Sequence, residues 1–213
     1  MRIPVAHGQL EALLKEPEGT PVGAAVICHP HPLHGGTMHT KAVYRVAQAL
    51  NDAGLVTLRF NFRGVGASTG SYEEGIGERG DVTAAIDWLV EHYPRLPLVA
   101  GGFSFGSMVG LTVGVPDERV GALFGLGLPL RNLNYDFDFL GQTAKPILVV
   151  QGENDEFGSG EDVAALLAKL GDHITLIRIP GSDHFFADKL EELGVAVRSY
   201  YQSGPGALLL VRL

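Results

Sequence analysis

Leu98-Val99-Ala100-Gly101-Gly102-Phe103-Ser104-Phe105-Gly106-Ser107-Met108-Val109 climbs as an apolar run to Gly102, turns at Ser104 and leaves through Gly106 into a second apolar run. This is Gly-x-Ser-x-Gly between a buried strand and a helix start, the setting of a nucleophile elbow. A serine thrust out of so sharp a turn takes a strained backbone conformation. The facing chain then passes too close for side chains at Gly102 and Gly106. The helix opening at Ser104 or Phe105 points unpaired N–H groups at any anion formed there.

Five residues alone are a weak signal, and Gly66-Ala67-Ser68-Thr69-Gly70 matches the same pattern. It follows a strand-like run, Leu55 to Phe62, but Gly70-Ser71-Tyr72-Glu73-Glu74-Gly75-Ile76-Gly77 has the composition of a loop and opens no helix. Ser68 therefore reads as a loop serine, because the strand–turn–helix context is missing.

Strands and helices alternate on both sides of the elbow. Val22 to Cys28 is an all-apolar run, as expected of a strand buried on both faces. It empties into the proline- and glycine-rich His29-Pro30-His31-Pro32-Leu33-His34-Gly35-Gly36. Ala42, Val43, Val46, Ala47 and Leu50 then fall at helical spacing, closed by Gly54. Val82, Ala85, Ile86 and Leu89 mark a second helix, with Asp81 read as near its start and Pro94 ending it. Further strands are predicted at Val120–Leu126, Pro146–Gln151 and Ile174–Ile179. Val163 to Leu170 and Leu190 to Tyr200 are read as helices, and Gly8 to Lys15 as a peripheral strand. The pattern implies an α/β fold: a mostly parallel central sheet flanked by helices on both faces.

With 213 residues the chain is expected to form one domain with a substantial core. Its net charge of −8, with basic residues scattered, argues against nucleic acid or an anionic membrane as partner. The single cysteine, Cys28, cannot form an internal disulfide. No signal-peptide pattern opens the chain and no apolar run reaches membrane-span length, so a cytoplasmic location is expected.

In such sheets ligands bind beyond the carboxyl ends of the strands. His29/His31, Arg63, Ser104, Asp155 and His184 all follow strands. Ser104 needs a base, and His184 can take the serine proton and return it to a leaving group. Asp155 is the expected partner that orients the imidazole, with Glu153 and Asp183 as rivals. Two backbone donors should hold the oxyanion, one from Phe105 and one from the loop after Cys28. Pro30 and Pro32 have no N–H, which leaves His29 or His31, and His31 lies further out of the strand. The prolines also stiffen this loop, so the donor is aimed before charge develops.

Other residues invite rival readings. His29, His31, His34 and His39 suggest a metal site, but no cysteine or carboxylate lies near and proline restricts convergence, so no metal and no cofactor are expected. Arg63 to Gly70 lacks the dinucleotide fingerprint, and Arg63 is read as a brace for the loops through carboxylate pairs. Tyr135 to Leu140 is read either as a substrate wall or as a plug at the sheet edge. No room exists between the strands at Leu126 and Pro146 for a cap domain.

Cys28–Gly36, Asn61–Gly70 and Gly102–Gly106 together resemble the α/β-hydrolase superfamily, and within it the small lid-less bacterial serine hydrolases related to dienelactone hydrolase. The resemblance runs from about His29 to the closing helix. It implies the α/β-hydrolase fold and a Ser–His–Asp hydrolase of small esters, carried by Ser104, His184 and Asp155, with the oxyanion held at His31 and Phe105. Thioesterase and peptidase activities would use the same machinery, and a non-catalytic binding module is the alternative of another class. Dienelactone hydrolase itself uses a cysteine nucleophile, where this chain has serine. The tail Gly204 to Leu213 is read as an extra strand or a contact in a homodimer.

Overall fold

The computed structural model describes residues 1–131 and 135–207. Among these, eight strands form one sheet in the order β1-β2-β4-β3-β5-β6-β7-β8. β1 (Arg2–Val5) and β2 (Gly8–Lys15) pair antiparallel at one edge, and β2 pairs antiparallel with β4 (Leu55–Phe60). All remaining pairs are parallel: β3 (Gly23–Cys28) lies between β4 and β5 (Leu98–Phe103), followed by β6 (Val120–Leu126), β7 (Ile147–Gly152) and β8 (Ile174–Ile179).

The apolar runs form the middle of the sheet because helices cover both its faces. β3, β5 and β7 are buried along their whole length. α1 (Lys41–Asp52) and α5 (Leu190–Gln202) share one core, through Val43, Val46 and Leu50 on the first and Leu193 and Val197 on the second. Each such Val or Leu contributes about 1.5–3 kcal/mol by leaving water. α2 (Gly77–His92), α3 (Phe105–Gly114) and α4 (Gly160–Leu167) fill the other face, with Ile86, Leu89, Val109 and Val163 in its core.

This topology places the site. From β3 the chain steps one way to β4, then returns across β3 to β5 and continues outward to β8. Adjacent crossovers thus part company between β3 and β5, which opens a crevice at the carboxyl ends of those two strands. Cys28 and Gly102 are paired neighbours there, so the loop after β3 lies against the turn after β5.

Local structure departs from the sequence expectations mainly at four points. β1 adds an edge strand that the sequence reading did not include. β4 ends at Phe60, because the Phe62 N–H donates to the His29 ring at 3.0 Å instead of to a strand carbonyl. α2 begins at Gly77, so Asp81 lies beyond its first turn and serves Arg63, while Glu78 is the first-turn acid. α4 stops at Leu167, leaving Leu170 in the following turn. Among its described residues, the connection from Gly127 to Pro146 carries a short 3-10 turn at Asp138–Gln142 and forms no cap. Residues 132–134, just ahead of the Tyr135–Leu140 segment, and 208–213 of the tail lie outside the described residues. No described helix is long and apolar enough to cross a membrane.

Candidate active site

Ser104 has φ 56° and ψ −120°, a conformation that a side chain seldom adopts, and it is held between β5 and α3. Such strain persists only where the surroundings enforce it. Here the Ser104 N–H donates to the Leu126 carbonyl at 2.9 Å, and the Ser107 hydroxyl donates to the Ser104 carbonyl at 2.6 Å. A Cβ at Gly106 would fall 2.4 Å from the His29 carbonyl oxygen, and one at Gly102 would fall 2.6 Å from that of Cys28. The glycines therefore let the β3 loop press directly on the elbow.

The three side chains expected to act together are joined in one hydrogen-bonded line. His184 Nε2 lies 2.9 Å from Ser104 Oγ, and His184 Nδ1 lies 2.8 Å from Asp155 Oδ2. With the ring proton on Nδ1, His184 donates to the carboxylate and accepts from the serine hydroxyl. All three residues are buried, Asp155 almost wholly so. Phe103 and Phe157 pack against the imidazole with ring centroids 5.1 and 4.6 Å away. Gly127, at φ 53°, closes a further side, where a Cβ would stand 3.2 Å from Nδ1.

Of the three acids weighed from the sequence, only Asp155 reaches the ring. Its Oδ1 accepts the Phe157 N–H at 2.8 Å, and its Oδ2 accepts from Gln151 Nε2 at 2.8 Å as well as from His184. Glu153 is exposed. Asp183 turns instead to the Ala187 N–H at 3.1 Å. The acid loop ends in a capping box at the start of α4, where the Ser159 hydroxyl and the Asp162 carboxylate cap each other's backbone N–H.

The loop after β3 supplies the facing wall. Neither the His31 nor the Phe105 backbone N–H donates to a protein acceptor among the described residues, and the two rings touch, with centroids 5.1 Å apart. His31 Nδ1 accepts from the Leu33 N–H at 3.2 Å, and its Nε2 lies 3.2 Å from the Tyr72 hydroxyl. Burial, and then the stacked His34 ring 4.3 Å away, hold the His31 pKa below its ordinary value. His29 is fully buried, with Nδ1 on the Pro30 carbonyl at 2.6 Å and Nε2 accepting from Phe62. Burial pushes its pKa down to about 4. Both nitrogens of that ring are thus committed to the backbone. Among the described residues no three His, Cys, Asp or Glu side chains converge as a metal site would require.

Arg63 ties the loop after β4 to α2 and to the loop that precedes it. It meets the buried Asp81 through its backbone N–H at 2.9 Å and its guanidinium at 2.8 Å, and reaches Glu73 at 2.9 Å. His7 Nε2 adds a contact to Asp81 at 2.9 Å. Ser68, in the second Gly-x-Ser-x-Gly, donates to the Asn61 carbonyl at 2.7 Å and accepts from the Glu11 N–H at 2.9 Å, which ties β2 to the loop after β4. Phe137 and Leu140 are buried in the core, which makes them a plug; no residue of the Tyr135–Leu140 segment lines the cleft.

That cleft, about 210 Å³, opens between the His31–Gly36 loop, Thr40, Ser104, His184 and the rings of Phe157 and Phe185. A larger groove of about 330 Å³ lies between β2 and α1, lined by Tyr44 and Arg59, but it contains no nucleophile beside a base. Gln151 is the site residue that the sequence reading passed over. Its signal was a polar side chain ending an otherwise apolar buried strand.

Fold and site together define the class: the chain belongs to the alpha/beta hydrolase family, whose domain model matches residues 25–199. Among solved structures, it is similar to an alpha-beta serine hydrolase homologue from Coxiella burnetii, at 38% identity and TM-score 0.87 over 93% of this chain and 94% of that one. It is also similar to XC6422 from Xanthomonas campestris, described as an a/b serine hydrolase without lid, at 33% identity and TM-score 0.87 over 95% and 92% of the two chains. A curated relative, the uncharacterized protein RP471 of Rickettsia prowazekii, is 34% identical over 91% of this chain and 84% of its own length.

Proposed function

We propose that the protein is a serine hydrolase of small carboxylic esters, working through an acyl-serine intermediate. The observation that carries this is the unbroken Ser104–His184–Asp155 line, with contacts of 2.9 and 2.8 Å beneath an open cleft. In this reading Ser104 Oγ attacks the ester carbonyl while His184 Nε2 takes its proton. The imidazolium is stabilised by the Asp155 carboxylate. The oxyanion accepts from the His31 and Phe105 N–H groups, donors fixed in place before charge develops. His184 then protonates the departing alcohol. Water, activated by the same ring, releases the acid and restores the hydroxyl.

The modest volume of the cleft and its phenyl-lined wall favour short acyl groups. Serine hydrolase relatives above 30% identity support the reaction class. A fluorophosphonate probe should label the protein once. Ser104→Ala should abolish labelling and lower short-chain ester turnover by about 10⁴-fold or more. Turnover undiminished in that variant would overturn the proposal.

A further inference from the structure

Gln151 is the penultimate residue of β7, a strand otherwise built from apolar residues and a closing glycine, and its side chain is wholly buried. An amide so placed is tolerated only if its donors and acceptor are all used. They are. Oε1 accepts the Leu128 N–H at 2.7 Å, while Nε2 donates to the Gly158 carbonyl at 2.7 Å and to Asp155 Oδ2 at 2.8 Å. The partners fix which end is nitrogen, since the flipped amide would set a donor against an N–H and an oxygen against a carbonyl and a carboxylate.

One side chain thus joins the turn after β6, the acid itself and the far end of the acid loop. The oxygen it holds is the one that accepts His184 Nδ1–H. We propose that Gln151 is a positioning residue for hydrolysis: it fixes the Asp155 carboxylate and, through it, the tautomer and direction of the His184 ring. This rests on the Ser–His–Asp reading above. Oδ1 is already held by the Phe157 N–H, so Gln151 supplies the second point that stops the carboxylate rotating. Its amide also draws charge from Oδ2. Without it, Oδ2 would keep more of its charge for the imidazolium beside it.

The test uses Gln151→Met, which keeps an unbranched shape without the hydrogen bonds, and Gln151→Glu, which retains the acceptor for Leu128. For the Met variant the expectation is a fall of about ten- to a hundredfold in kcat at unchanged KM. The acid limb of kcat/KM should move to higher pH, and the downfield proton-NMR signal of His184 Nδ1–H should be lost or displaced. In the Glu variant the new carboxyl donates to Asp155 only while protonated. Its kcat should therefore gain a descending limb as pH rises that the parent lacks, and this variant decides the matter if the Met variant does not fold. Parent-like kcat and pH profiles in folded variants, alongside an inactive Ser104→Ala, would overturn the role of Gln151 and leave the triad reading intact. An active Ser104→Ala would remove both.

Discussion

His29 makes the acid sensitivity of this fold a quantitative matter. The ring is fully buried at the end of β3, its Nδ1–H given to the Pro30 carbonyl and its Nε2 lone pair to the Phe62 N–H. Protonation would set Nε2–H against Phe62 N–H, two donors facing each other, in a place that water does not reach. Burial therefore holds the native pKa down at about 4, while in the unfolded chain the same ring titrates near its ordinary 6.5. Between those values the unfolded chain binds more protons than the native one, so stability falls as pH falls. The gap from about 4 to 6.5 amounts to about 3 kcal/mol, present in full above the unfolded value and lost by the native one. For a domain whose total stability is about 5–15 kcal/mol, that is a large share. The assay is urea unfolding of the parent and of His29→Gln at a series of pH values, followed by subtraction of the two curves. The variant keeps a donor and an acceptor but no titrating ring, so its curve should lack this component, and subtraction removes what the carboxylates contribute to both. Parallel curves across the whole window would refute the reasoning.

Two further outcomes follow from other contacts. Asp81→Ala leaves the Arg63 guanidinium without its buried partner and should cost about 3–5 kcal/mol, read from the urea midpoint at unchanged slope; a loss below about 1 kcal/mol would mean that Glu73 alone suffices. Phe185 is 56% exposed at the cleft mouth, so Phe185→Ala should change stability by less than about 0.5 kcal/mol. It should nonetheless shift the ratio of kcat/KM for long over short acyl esters upward by about tenfold, and an unchanged ratio would show that the ring plays no part in selecting the acyl group.

Much of this arrangement is written in local sequence. The elbow is legible because a buried strand, a glycine on each side of Ser104 and a helix start occur in one short run, and the same test sets Ser68 aside. The parallel strands are legible because burial on both faces demands continuous apolar runs. What the sequence does not carry is the partner of each buried polar group. Asp81 looks like a helix-start acid until Arg63 is seen against it, and Gln151 looks like a strand end until Leu128, Asp155 and Gly158 converge on it. Likewise the sequence separates His29 from His31 only by their distance from the strand. Their side-chain partners emerge when β4 is seen to give the first a backbone donor and the Tyr72 hydroxyl is seen beside the second. Most of these pairings join segments far apart in the chain, and that of Gln151 with Asp155 depends on how its loop turns back; periodicity and spacing are silent on both.

The hydroxyl of Ser104 and the imidazole of His184 meet across 80 positions of sequence. A chain growing from its N-terminus on the ribosome completes the turn that displays the serine long before the histidine has been synthesised. Until the last parallel strand docks, that hydroxyl has no base beside it. On the proposed reading, the hydroxyl therefore gains its base, and with it the power to take up an acyl group, only when the sheet is finished.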